Sequence, residues 1–196
     1  MDTALYHADT LNLNEGDMRS IAEIIYIALP DFYGALPLEM DATLNLIAAE
    51  TRASGTECAA PLILKVDGKI AGVICSFPIA ELQVRQQQSM LHIMRSLDQG
   101  SRKLFRKAMV GGSHSVAPVF DLDGVYIARI ALAKKYRGSG NGATMLRLFN
   151  DHKNNPAIAL HVDRNNSIAI QFYKKQSFEF TGPSGDYKKL SMAKKV

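Results

Sequence analysis

Between Asn14 and Leu29 the apolar residues Met18, Ile21, Ile24, Ile25 and Leu29 fall three and four apart, the spacing that gathers side chains on one face of a helix. A helix over 14–29 follows, closed by Pro30. The same period returns at Leu44, Ile47 and Ala48 and predicts a second helix ending near Gly55. The pattern then changes. "APLILKV" and "KIAGVICSFPI" are β-rich runs around Asp67-Gly68, a dipeptide that tolerates the positive φ angles of a tight hairpin. From 81 to 109 the chain is helical in pattern, with Met90, Met94, Leu97, Leu104 and Phe105 able to share faces and Gly100-Ser101 as the expected division. A turn at Asp123-Gly124 precedes a strand over 125–132. Beyond a glycine-rich stretch, Ala143, Leu146 and Phe149 mark a helix that stops before Pro156. "AIALHV" is a strand, and "NNSIAIQFYKKQ" is a short helix capped by Asn165, Asn166 or Ser167, with Ile168, Ala169, Phe172 and Tyr173 facing inward. Two closing strands surround residues 182–185, and "TALYHA" near the start supplies a first strand.

With 196 residues and 47% hydrophobic content, the chain predicts one domain spanning 1–196. The longest charge-free stretches reach about half of the roughly 20 apolar residues that a membrane-spanning helix needs. The polar, acidic start lacks the basic block and apolar run of a secretory signal. Cys58 and Cys75 are the two cysteines, without metal-ligand spacing, so no metal is expected and a reducing cytoplasm fits best. Charge is uneven: residues 1–133 hold 11 Lys+Arg against 15 Asp+Glu, and residues 134–196 hold 12 against 4. The basic part attracts an anion, whether nucleic acid, membrane or phosphorylated small molecule.

The stretch "KKYRGSGNGATML" narrows that choice. Gly138, Gly140 and Gly142 alternate between a strand and a helix, where backbone N–H groups and the helix dipole converge on a phosphate-sized point. Arg137 adds a full charge. A nucleoside-triphosphate P-loop requires Lys after its last glycine, but Ala143 stands there. The dinucleotide fingerprint tolerates Ala143, and Asp163 lies near the distance of its acidic partner, yet the preceding hairpin and the single βαβ unit do not make a doubly wound sheet. "GGSHS" carries Ser113, His114 and Ser115 without the G-x-S-x-G elbow of a hydrolase.

Arg137-Gly138-Ser139-Gly140-Asn141-Gly142, followed by Ala143, resembles the acyl-CoA pyrophosphate loop of the GCN5-related N-acetyltransferase (GNAT) superfamily, and Asn166, Ala169, Phe172, Tyr173 and Phe178 fall where that family has its next helix and turn. Ser177 stands in place of the usual glycine, which suggests a slightly different turn. The resemblance implies an α/β (α+β) GNAT fold: a mixed, mostly antiparallel sheet, splayed at the strand before the glycine loop, flanked by helices. The segment around 81–119 is then a helical insertion, read as packing helices, a lid or a dimer contact.

Transfer of acetyl from acetyl-CoA to a primary amine is the implied activity, with no metal. The loop residues 137–143 would hold the pyrophosphate, and the backbone of Ile130, Ala131 and Leu132 would pair with pantetheine. A backbone N–H there would polarise the thioester carbonyl. Tyr173 is implied as the acid for the departing thiolate, or else packs as a core residue beside Phe172; Asn166 bonds pantetheine or caps its helix. For the base, Asp123 and Glu81 are the leading candidates beside Asp121, with His114, His161 and a water chain behind them. Residues 1–80 hold 4 Lys+Arg against 11 Asp+Glu, which favours a cationic acceptor, either a small molecule or a protein amine. The alternative is a non-catalytic acyl-CoA sensor. A membrane partner is not expected, a homodimer is compatible, and nucleic acid is disfavoured because no groove-reading motif accompanies Lys188, Lys189, Lys194 and Lys195.

Overall fold

The computed structural model describes residues 2–111, 120–154, 156–181 and 189–194. Strand β1 (Thr3–His7) leads into helix α1 (Glu15–Ala28). Asn14 caps that helix reciprocally: its Oδ1 accepts from the Asp17 N–H at 2.9 Å, and Asp17 Oδ2 accepts from the Asn14 N–H at 3.2 Å. Pro30 does more than end α1. It occupies the first turn of a short helix, α2 (Pro30–Gly34), where a missing N–H breaks no bond. Helix α3 (Met40–Arg52) follows, and then the hairpin of β2 (Leu62–Val66) and β3 (Lys69–Pro78). Its turn residues Asp67 and Gly68 have φ of 47° and 76°, as the dipeptide predicts.

The helical segment is two helices, α4 (Leu82–Ser96) and α5 (Gln99–Gly111), and the division falls at Leu97-Asp98 rather than Gly100-Ser101. Asp98 decides this, because its Oδ1 accepts from the Ser101 N–H at 3.0 Å and so opens α5. Phe105 is buried against Phe32, whereas Leu104 next to it is 60% exposed and shares no inner face. Ser113, His114 and Ser115 lie outside the described residues. The remaining elements are β4 (Val125–Leu132), α6 (Asn141–His152), β5 (Ile158–Asp163), α7 (Ser167–Lys175), β6 (Glu179–Phe180) and β7 (Lys189–Lys194).

All seven strands form one sheet in the order β1-β2-β3-β4-β5-β7-β6. Every neighbouring pair is antiparallel except β4 and β5. One face carries α1 to α5, with Ile21, Ile25, Tyr33, Ile47, Ile93 and Phe105 packed on Ile63 and Val73. The 81–111 segment therefore joins the main core rather than standing apart from it. The other face carries α6 and α7, with Met145, Phe149 and Tyr173 on Leu64, Ile74 and Leu160. Each fully buried side chain of this size stabilises the fold by about 1.5–3 kcal/mol. In α7 the inward set differs from the expected one: Ile168 is 83% exposed, and Ile170 packs inward with Ala169 and Phe172.

Ser177 sits at φ 66°, in the left-handed region where a Cβ is strained. The turn before Phe178 thus uses a backbone that suits glycine, despite the serine. Ser177→Gly is expected to raise stability by about 1 kcal/mol, read as a midpoint increase of about 2–4 °C in thermal unfolding.

Candidate functional site

Strand β4 ends at Leu132 and enters a tight turn over Lys134–Tyr136, after which Arg137 is extended (φ −81°, ψ 156°). Gly138 and Gly140 then adopt φ of 83° and 82°, and a Cβ built on either would meet nothing within 4 Å. These glycines are required by the backbone, and the space before them is open. Gly142 differs, since a Cβ there would lie 3.2 Å from the Phe172 ring, so its small size lets α6 and α7 approach. Gly140 is the N-cap of α6 and offers no side-chain acceptor, and no acidic residue stands in the first turn. The first N–H groups of α6, through Asn141, Gly142 and Ala143, therefore face the open space without an anionic side chain of the helix itself.

Side chains hold this turn in shape. Asn141 is buried, and its Nδ2 donates to the Tyr136 carbonyl and to Ser139 Oγ, both at 3.0 Å. Arg137 Nε donates to the Leu132 carbonyl at 2.9 Å, tying the loop to the end of β4. Lys134, Lys135 and Arg137 give the turn three positive charges.

The parallel ladder between β4 and β5 is short. Val125, Tyr126 and Ile127 pair with Ile158, Ala159 and Leu160, and beyond them the strands part. Ile130, Ala131 and Leu132 remain paired to β3 on one side, through Ile74, Val73 and Gly72. Their other side looks into the gap. Where the gap opens, β4 bulges: Ile127 faces Ser76 and Arg129 faces Cys75, leaving Ala128 unmatched. Ile130 and Leu132 pack toward α6 and α7, whereas Ala131 packs toward α1.

Asn166 caps α7, its Oδ1 accepting from the Ala169 N–H at 3.0 Å, which leaves its amide N–H groups for another partner. Tyr173 is 8% exposed, with ring centres 5.3 Å from Phe172 and 5.4 Å from Phe178, and burial raises its pKa above the usual phenol value. Glu81 pairs with Arg85 at 2.6 Å, while Asp121 and Asp123 are exposed in the turn before β4. Ile79 N–H donates to the Gly124 carbonyl at 2.9 Å, which ties the Glu81 and Asp123 segments together at the closed end of the pair. Asp123 lies five residues before the bulge, roughly 16 Å along the strand. Both segments thus lie beside Val125, where β4 begins.

Other polar groups lie along the ladder and just past its end. Tyr126 OH and His161 Nδ1 are 2.8 Å apart, and His161 is the first residue of β5 beyond its pairing with β4. Burial raises the Tyr126 pKa, and the charge of Glu57 and the phenol of Tyr173 add to it while Arg129 opposes. Arg129 is buried and forms an ion pair with Glu57 at 3.2 Å, and its Nη1 donates to the Ala128 carbonyl at 2.8 Å. Its Nε has no partner among the described residues. Burial opposes the charge on Arg129, but Glu57 and the other acidic groups outweigh it and raise its pKa. Spacing in the sequence could not reveal these pairs, which bridge 35 and 72 positions.

A second buried carboxyl supports Arg129 from behind. Ser89 Oγ donates to Glu50 Oε1 at 2.6 Å and accepts from the Glu57 N–H at 2.7 Å, linking α3, α4 and the loop between α3 and β2. Burial raises the Glu50 pKa, with Arg129 and Ser89 opposing. A carboxyl with a raised folded pKa contributes stability that is full below its unfolded value and is lost as pH rises through the folded value. Glu50→Gln is therefore expected to flatten the fall of stability with pH above about pH 4.5, measured by denaturant unfolding from pH 4 to 8.

The family model described as the acetyltransferase (GNAT) family matches residues 21–178, and the chain belongs to that family. Its structural likenesses agree. An N-acetyltransferase from Staphylococcus aureus Mu50 shares 22% identity over 98% of both chains, with a TM-score of 0.66. A histone acetyltransferase and related acetyltransferase from Corynebacterium glutamicum shares 19% over 100% of this chain and 97% of that one, at 0.62. The PaiA N-acetyltransferase of Thermoplasma acidophilum, solved in complex with coenzyme A, shares 16% over 100% of both chains, at 0.51. At these identities the likeness is one of fold. No curated protein matches the chain.

Proposed function

We propose that this chain transfers an acetyl group from acetyl-CoA to a primary amine. The observation that carries this reading is the open, positively charged turn at Gly138 and Gly140, set where β4 and β5 part. In this reading the N–H groups of residues 138–143 and the Arg137 charge hold the pyrophosphate. The pantetheine arm lies along the free side of Ile130, Ala131 and Leu132 and takes a hydrogen bond from Asn166. The thioester then reaches the bulge at Ala128, beside Tyr126 and Tyr173.

The amine attacks the thioester carbonyl, a C–N bond forms, and collapse of the tetrahedral intermediate breaks the C–S bond. We assign the amine proton to Tyr126 and His161: the phenol oxygen takes it as the phenol's own proton passes to Nδ1, 2.8 Å away. In this reading Tyr126 and His161 take the base role ahead of Glu81 and Asp123, because His161 is the first β5 residue beyond the ladder. Tyr173 donates to the departing sulfur. It is protonated at neutral pH; burial raises its pKa and so weakens it as an acid, and transfer proceeds only as thiolate charge builds. The acceptor is a cationic amine, in keeping with the acidic residues on α1 to α3, among them Glu15, Asp17, Glu39 and Asp41.

Acetyl-CoA at millimolar concentration is expected to raise the unfolding midpoint by several degrees, and a panel of polyamines, lysine peptides and neutral amines identifies the acceptor. Tyr173→Phe is expected to lower turnover about a hundredfold while the dissociation constant for acetyl-CoA changes less than about threefold. Equal turnover in that variant would remove the acid role. Binding of acetyl-CoA with no acetyl transfer to any amine would favour a sensor instead.

A further inference from the structure

We propose that His7 and His152 form a surface site for a late first-row divalent cation, Cu²⁺ first among them. His7 ends β1 and His152 ends α6, 145 positions apart, and their Nε2 atoms stand 2.9 Å from each other. The ring centres are 4.8 Å apart and the planes are inclined at 61°. Rings aligned head-on for a simple hydrogen bond would separate their centres by the 2.9 Å between nitrogens plus both ring radii. The observed separation is shorter, so the ring axes are bent away from the line between the nitrogens, which share an N–H···N hydrogen bond in the absence of a metal. Two metal–nitrogen bonds of about 2.0–2.1 Å meeting at a right angle put their nitrogens about 2.9 Å apart, whereas a tetrahedral angle would need about 3.3–3.4 Å. A right angle between neighbouring ligands is the geometry of tetragonal Cu²⁺ and Ni²⁺, and the general affinity order places Cu²⁺ highest.

The two imidazoles are also on firm supports. The β1 residue His7 is paired in register with Leu62, and α6 packs against β1. Among the described residues no third His, Cys, Asp or Glu completes a cluster, so water fills the remaining positions. That makes the site a clamp between β1 and the far end of α6, away from the glycine turn at the start of the helix. Exchangeable binding in the micromolar range fits two imidazoles better than a permanently held structural ion.

Calorimetric titration of tag-free protein with Cu²⁺ and Zn²⁺, with electron paramagnetic resonance for Cu²⁺, tests this directly. The expected result is one equivalent, Cu²⁺ tighter than Zn²⁺, nitrogen hyperfine structure, and a midpoint raised by about 5–10 °C at a hundredfold excess over Kd. His7→Gln and His152→Gln should each weaken binding at least tenfold, with the stabilisation by acetyl-CoA unchanged in both. Absence of saturable binding below millimolar Cu²⁺, or undiminished binding in the double variant, would overturn the proposal.

Discussion

On the proposed reading, Gly140→Val is expected to abolish thermal stabilisation by acetyl-CoA and to raise its dissociation constant at least a hundredfold, while the protein still folds. The argument rests on what surrounds the position. At φ 82° any Cβ is strained, a cost of about 1–2 kcal/mol that a domain of this size survives. No protein atom lies within 4 Å of the added Cβ, so the fold itself is not overpacked. The new side chain instead projects into the space where the α6 N–H groups point, and any bound pyrophosphate must give way. Calorimetry with acetyl-CoA, beside an unfolding curve of the free variant, separates the two effects. Undiminished affinity would place the cofactor somewhere other than this turn.

Arg129→Met is the change expected to cost the most stability. Its guanidinium is the positive centre of a buried set that includes Glu57 and Glu50, and methionine leaves those carboxyls without a counter-charge. Breaking one side of a buried pair costs about 3–5 kcal/mol, or roughly 10 °C in midpoint for a domain of this length. Adding Glu57→Gln to the variant should restore part of that loss, because it removes the stranded charge. A midpoint within about 2 °C of the parent in the single variant would mean that the pair contributes little.

Features set by adjacent residues were legible in the sequence. Asp67-Gly68 specifies its hairpin through dihedral angles, and Asn166 reads as a cap because its side chain bonds three residues ahead. The glycine turn belongs to the same group, since strand, turn and helix are contiguous. Two local signals competed at the α4–α5 junction, and the capping carboxylate of Asp98 prevailed over the flexibility of Gly100. Ile168 misled for a different reason: at the start of a nine-residue helix, spacing alone does not say which side meets the sheet, and Ile170 took that side. The polar groups at the parting were illegible because they are made by tertiary contacts. Arg129 reads as a strand residue and Glu57 as a loop residue until the fold brings them to 3.2 Å.

The parting of β4 and β5 has one more consequence. A sheet ordinarily keeps its unpaired edges at its two outer strands, but this one carries another edge inside the molecule, along Ala128 to Leu132, where Arg129 and Arg137 already hold the Ala128 and Leu132 carbonyls. Such an edge has the hydrogen-bonding appetite of any exposed strand and the width of a single one. On the proposed reading, a slender guest with amides of its own would complete the ladder. Without a guest, the amides of this strand that face the gap are where hydrogen exchange should be fastest within the central sheet.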